Sequence, residues 1–460
     1  MENLILYSFL FLSSFVLLFA AVGKTWGSSV KEFLFANRSL QLIPSGLAIG
    51  SHWIWAIALF VGPATAYTWG YIGALWFAIP NALTLVLAGY IITKVREKYP
   101  EGFSLTAYVK ENFSTRIGLL YQFEFIVTAL AALLLAFTAI AKLWGFSGLT
   151  DTIQPIYASL AVGVLTMLFT IKGGIRTSIF TGATQAVLWL VFIVIAIVGL
   201  ASSDLSFFTT GKNQLETIFH TGFLTNFGIA YLIAMSVSAV SHGHLWQKGF
   251  SMPKEQVLPA FTIGSVFFAL FLAVILALAM FAQVNGLEVK GPDTSLLVAI
   301  STLLGGAALL YFSVIFIGQT STVIDSAMNY FSSLVTLEWL KTDNVWTTRI
   351  IMIAFLLVAW VISWLKLDIW TIMLLMSSVR TVMFIPLILD VFNVRLNEKL
   401  MFWTCSFSIV VTVYFAVTAK LNSIPINNMY AMIAAIGIPT IVYLFSRYIA
   451  QSKDVKEIVV

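Results

Sequence analysis

The chain has 460 residues, 60% of them hydrophobic and only 10% charged, with a formal net charge of +5. Soluble domains carry about a quarter charged residues, so this composition excludes a water-soluble enzyme. The only cysteine, Cys405, lies in an apolar run, which excludes an intrachain disulfide and a cysteine metal cluster.

In chain order, the first apolar run is Leu4 to Val22. No cation precedes it and Lys24 follows it, a pattern unlike a cleaved signal peptide, so a retained helix with its N-terminus outside is expected. Later runs such as Ser178 to Leu200 and Val257 to Ala282 also match the roughly 20 residues that cross a bilayer. Thirteen spans are expected, beginning near residues 4, 41, 71, 118, 155, 178, 223, 257, 306, 346, 369, 400 and 428. A short helix over 294–304 is expected before the ninth. The stretches between spans are short, so function is expected to reside within the membrane.

The cations test this map. Nineteen of the 25 Lys and Arg residues fall in segments on one side, Lys94, Arg96, Arg176, Lys248 and Arg349 among them. Five fall on the other: Lys142, Lys212, Lys290, Lys366 and Lys420. Arg380 remains inside a span. The positive-inside rule then puts the C-terminus in the cytoplasm and the chain in the cell (inner or plasma) membrane. The net charge reflects this bias and is no sign of a nucleic-acid partner; the expected partners are the lipid bilayer and a small solute, with no obligatory protein partner evident. Trp26, Trp144, Trp339, Trp346, Trp364 and Trp403 near span ends read as interfacial anchors.

Two spans are poor continuous helices. One contains Ser45-Gly46, Gly50-Ser51 and Gly62-Pro63; the other contains Met235-Ser236-Val237-Ser238 and Ser241-His242-Gly243. Such residues can stabilise an unwound turn whose carbonyls coordinate a cation, or else allow close helix packing. The two are the first members of two five-span units. An odd span number makes the second unit enter the bilayer inverted, an arrangement known from secondary transporters. The expected fold is all-α and integral to the membrane, with a 5+5 inverted-repeat core. Its expected parts are an extra helix over 1–30, repeats over 31–205 and 206–395, and two further helices with a short tail over 396–460.

Several segments in the right order over about residues 30–395 resemble the sodium:solute symporter family, which has the leucine-transporter fold. They are Phe33-Leu34-Phe35-Ala36-Asn37-Arg38-Ser39-Leu40, Ser51-His52-Trp53-Ile54-Trp55-Ala56, and Gly173-Gly174-Ile175-Arg176 with Thr181-Gly182-Ala183-Thr184-Gln185. Leu245-Trp246-Gln247-Lys248 and Gln319-Thr320-Ser321-Thr322-Val323-Ile324-Asp325-Ser326 complete the set. The flavour is that of the urea-transporter-like branch.

The resemblance implies Na+-coupled uptake of a small organic solute, and no enzyme activity. It nominates the carbonyls of Ser51, Ile54 and Gly318 and the hydroxyls of Ser321 and Thr322 as Na+ ligands. Alignment from Asp325 instead shifts the pair Ser321-Thr322 to Thr322-Val323, and helix-packing hydrogen bonds are the other use of these hydroxyls. The expected solute-facing set is Trp53, Trp55, Phe77, Met235, Ser238, Ser378 and Arg380. Where many relatives carry Asp in this motif the chain has Gly182, so one Na+ is expected rather than two. Ala58, Phe77 and Met235 stand where sugar-binding members have polar groups, so a sugar is not expected.

A charge inside a span costs about 2.5–3.5 kcal/mol on insertion scales and calls for a function. Arg380 is expected to pair with Asp325 or Glu124 as a structural or gating ion pair; receiving a substrate carboxylate is its other reading. His52 and Asp325 are the first suspects if coupling is to protons instead of Na+. His242 and His244 are two apart and are not expected to bind metal. A transporter-like sensor is the alternative from another class.

Overall fold

The computed structural model describes residues 29–146, 154–204, 206, 220–394 and 397–458, and every regular element among them is helical. The expected first span, 4–22, and Trp26 lie outside the described residues. Among the described residues nine helices are long and apolar enough to cross a membrane, and the pair Leu42–His52 and Ile57–Trp69, bent by 56°, makes a tenth.

Of the expected thirteen, the first span lies outside the described residues, and the runs near 155, 178 and 223 depart from single straight helices for physical reasons. The runs beginning at 155 and 178 form one helical path, Pro155–Ala201, of 47 residues. At 1.5 Å per residue that is about 70 Å, more than twice the hydrocarbon thickness. It turns at Gly174, whose φ of 55° and ψ of −142° no helix contains, dividing it into 155–173 and 175–201. The run near 223 is a shorter apolar helix, Thr221–Ser236, followed after a break by Gly243–Phe250. The short helix expected before the ninth span is present as Ser295–Ala299 and its continuation to Leu304, and Gly305 (φ 83°) separates it from Gly305–Ser333.

In chain order, the helices 42–69, 71–98, 115–146, 155–173, 175–201, 221–250, 254–284, 305–333, 345–363 and 369–391 are numbered here core helices 1 to 10. Glu398–Leu421 and Ile426–Ile458 follow them. Core helix 7 lies along core helices 1 and 2, and core helix 8 along 3 and 5. The contact of core helices 1 and 7 is made by glycine: a Cβ on Gly50 would stand 2.5 Å from the Gly264 carbonyl oxygen. Small residues let backbones meet where lipid supplies no hydrophobic drive to association. Leu83, Val194, Val266, Val361 and Phe407 point outward and exposed, as lipid-facing side chains do. Trp339, Trp346, Trp364 and Trp403 are exposed near helix ends, as anchors require, whereas Trp144 is buried and packs inside.

Three distant motifs meet at one end of the bundle. Gln247 Nε2 donates to the Leu34 carbonyl (2.9 Å), and Arg176 donates to the Ala36 carbonyl (3.1 Å) and Ser39 Oγ (2.9 Å). The turn at Gly174 makes this fit possible, because a Cβ there would lie 2.2 Å from the Phe33 carbonyl oxygen. Nearby, the carboxylate of Glu338 accepts from Lys110 Nζ (2.9 Å), Gln122 Nε2 (2.6 Å), Ser104 Oγ (2.7 Å) and the Thr106 hydroxyl. Nothing in the sequence singles Glu338 out.

Gly174→Val combines the left-handed backbone with that collision, and is expected to cost about 1–3 kcal/mol of stability. Gly306→Ala, whose Cβ meets nothing within 4 Å, is the control. Thermal unfolding in detergent should show a lowered midpoint for the first and none for the second.

Candidate cation and solute site

Core helix 1 stops at its middle. Trp53 N–H donates to the Gly50 carbonyl (3.2 Å) and Ile54 N–H to that of Ser51 (2.8 Å), a tightening to i→i−3 before the chain leaves the helix. It resumes as a wide turn over Ile57–Val61 and runs on through Gly62-Pro63 to Trp69. Core helix 6 stops in the same manner. Ser238 N–H bonds Met235 (3.1 Å), Ser241 bonds Ser238 (3.1 Å), and His242 is extended at φ −101°, ψ 104° before Gly243 restarts the helix.

Backbone freed at these breaks finds partners within the protein. Thr84 Oγ1 accepts from Ala239 N–H (3.0 Å), and Trp246 Nε1 donates to the Val240 carbonyl (2.6 Å). The two breaks also face each other. The His242 ring lies edge-on to Trp53 at 5.0 Å and to Trp55 at 5.1 Å between centroids. Its Nδ1 bonds the Ser238 carbonyl at 2.7 Å, and His52 Nδ1 bonds that of Ala48. His52 also faces the Thr322 backbone, whereas the opposite nitrogen of His242, Nε2, is buried without a hydrogen-bond partner, as is Trp53 Nε1. Each is a polar atom that a solute group could satisfy.

The nominated cation ligands sit on facing helices. Gln319 Nε2 lies 2.7 Å from the Ser51 carbonyl oxygen and 2.9 Å from Thr322 Oγ1, so a single atom spans the gap between them. Ser321 Oγ donates to the Ile317 carbonyl (3.1 Å) and Thr322 Oγ1 to that of Gln319 (2.7 Å). Gln185 covers Gly318, where an added Cβ would stand 2.2 Å from its Nε2. Ser51, Ile54, Gly318, Ser321 and Thr322 are all buried. The donor set is neutral oxygen, which suits a hard monovalent cation.

Among the solute-facing set, Phe77 stacks on Tyr231 at 4.9 Å and lies against Gly62. The Ser238 and Ser378 hydroxyls turn back to the Met235 and Leu374 carbonyls, both at 2.8 Å.

Among the described residues no acid lies within 4.0 Å of Arg380, although Glu124 is near enough to act on it electrostatically. Its guanidinium donates instead to the Ala234 carbonyl (3.3 Å) and reaches Met376 Sδ (3.9 Å), with Nε left without a partner. The acids are held elsewhere, Glu124 by Thr128 Oγ1 (3.2 Å) and Asp325 by Asn329 Nδ2 (2.5 Å). Lys248, counted with the loop cations, is fully buried, and its Nζ reaches Ser326 Oγ at 3.2 Å. Sequence reasoning missed this position and Gln319; the latter stands in the polar string Gln319-Thr320-Ser321-Thr322, of which only the hydroxyls drew notice.

Gly182 has a geometric reason. A Cβ there would stand 2.6 Å from His52 Cε1 and 2.9 Å from Nδ1, so the imidazole fills the space that an aspartate would need.

No model of a protein family matches the chain. Three curated proteins do in part. A spermidine transporter of Candida albicans is 30% identical over 187 residues, 38% of this chain and 33% of that protein. A probable urea active transporter of Schizosaccharomyces pombe is 24% identical over 183 residues, covering 40% and 27%. The human sodium/iodide cotransporter is 26% identical over 184 residues, covering 39% and 27%. The matched stretch thus spans a third or less of those relatives' own length. The structure of a Na+-coupled sialic acid symporter superposes with a TM-score of 0.70 at 17% identity, over 96% of this chain and 97% of that one.

The chain is all-helical and has the leucine-transporter fold. Its homologues are transporters of the sodium:solute symporter family, the family that its motifs resemble.

Gly182→Asp should destabilise the chain, and His52→Ala should relieve part of that loss. A double-mutant cycle on thermal stability is expected to give a coupling of about 1 kcal/mol or more.

Proposed function

We propose that the chain is a sodium-coupled symporter that imports a small organic solute by alternating access, with no enzymatic step. One Na+ would be held between core helices 1 and 8 by the carbonyls of Ser51, Ile54 and Gly318 and the hydroxyls of Ser321 and Thr322. The observation that carries the reading is the one-atom gap between Ser51 O and Thr322 Oγ1, lined by neutral oxygen beside an interrupted helix. The filled space at Gly182 supports a single cation site.

The solute would lie between the two breaks, against Trp53, Trp55, Phe77 and Met235. The unpartnered Trp53 Nε1 and His242 Nε2 would fix its polar groups. With no acid within ion-pair distance, Arg380 is best read as the receiver of an anionic group, since guanidinium binds carboxylates bidentately. The relatives' named substrates differ widely, so these residues rather than the relatives set the solute class. The repeats over 31–205 and 206–395 would rock about the breaks, which already lack helical hydrogen bonds and so bend at least cost. The cation-rich ends would face the cytoplasm, with the N-terminus outside.

Uptake into proteoliposomes under an inward Na+ gradient tests this, with urea, small carboxylates, amino acids and amines as the panel. Accumulation should depend on Na+ and fall about tenfold in Thr322→Ala and Ser321→Ala. Arg380→Gln should abolish uptake of carboxylates selectively. Accumulation that ignores Na+, or survives both hydroxyl substitutions, sinks the assignment; accumulation driven by a pH gradient alone would move coupling to protons.

A further inference from the structure

Gln319 is completely buried at the junction of three helices, and its amide uses every hydrogen-bonding position it has. Its two N–H groups go to the Ser51 carbonyl (2.7 Å) and Thr322 Oγ1 (2.9 Å). Its oxygen accepts from Ser51 Oγ (2.7 Å) on core helix 1 and from Trp189 Nε1 (3.1 Å) on core helix 5. The two oxygens that receive its protons are both among the nominated cation ligands. The Ser51 carbonyl has two lone pairs; Ile54 N–H takes one at 2.8 Å and Gln319 the other. A cation cannot engage that oxygen while the amide remains in place.

We infer that the Gln319 side chain is a built-in competitor of the coupling cation, standing in for it between core helices 1 and 8 until the ion displaces it. The inference rests on the cation site proposed above. The amide offers two partial positive charges to the oxygens a Na+ would use, so it holds the helices together when the ion is away. Displacement breaks the bond to Trp189 as well, and therefore passes the state of the site to core helix 5. Trp189 is a positioning residue here: it touches Gln319 and not the nominated ligands. The amide also sets apparent Na+ affinity, because binding must overcome its hydrogen bonds.

The test is a Na+ titration of thermal stability on the purified full chain, with K+ and choline as reference cations. Gln319→Ala should lower the half-saturating Na+ concentration about fivefold and lower stability in the absence of Na+. Trp189→Phe removes only the bond to core helix 5 and should shift half-saturation in the same direction by a smaller factor, so the idea stays testable if Gln319→Ala folds poorly. A half-saturation that is unchanged or raised in these variants, while the wild-type chain still responds to Na+, overturns the competitor role; a rise would make Gln319 a ligand. If neither the wild-type chain nor any variant responds to Na+ over K+, the cation site itself falls and the competitor with it.

Discussion

Backbone that leaves a helix inside a membrane must find its hydrogen-bond partners in protein, since hydrocarbon offers none. Core helices 1 and 6 both leave the helix, and much of the remaining structure meets that demand. The Thr84 hydroxyl takes the Ala239 N–H, the Trp246 indole reaches the Val240 carbonyl, and the Gln319 amide covers that of Ser51. Each of these partners comes from a different turn or helix from the group it satisfies. Breaks of this kind are therefore buried within the bundle, and glycine contacts such as Gly50 on Gly264 let the surrounding helices close over them.

The same demand makes the breaks chemically useful. A carbonyl that is not committed to its own helix can be offered to an amide, a hydroxyl or a cation in turn. The Ser51 carbonyl keeps the Ile54 N–H on one lone pair and gives the other to Gln319, so that second position is the one open to exchange. Family motifs far apart in the chain serve this arrangement from a distance. The turn at Gly174, the Arg176 side chain and Gln247 all dock on the 33–40 segment that leads into core helix 1.

Charge placement followed the sequence less faithfully. Long apolar runs and the alternation of loop cations are properties of the chain, legible without coordinates. Whether a given cation is solvated depends on what packs against it. Lys248 looks like a loop lysine because it ends an apolar segment, yet the second half of core helix 6 carries it into the interior beside Ser326. Arg380 and the acids at 124 and 325 are all buried, and from sequence an ion pair was the natural way to neutralise them. Their helices do not bring these charges within 4.0 Å; Arg380 and Glu124 act on each other only through space, and the charged neighbour of Asp325 is the buried Lys248.

By itself the sequence determined the all-helical membrane class, the interruption of two helices and the family resemblance, because hydropathy, Ser/Gly/Pro content and short motifs are local. The homologues and the superposition with a symporter fold agree with the first and the last, and the helices of the structure carry the two interruptions. Span count was legible only in part. The runs expected from 155 and 178 are the two arms of one helical path that a single φ of 55° at Gly174 divides. Which side chains meet across the breaks was decided by tertiary structure alone. His242 between Trp53 and Trp55, His52 in the space above Gly182, and Gln319 between Ser51 and Thr322 join residues up to 268 positions apart. No local pattern encodes such pairs; they follow from how ten helices pack.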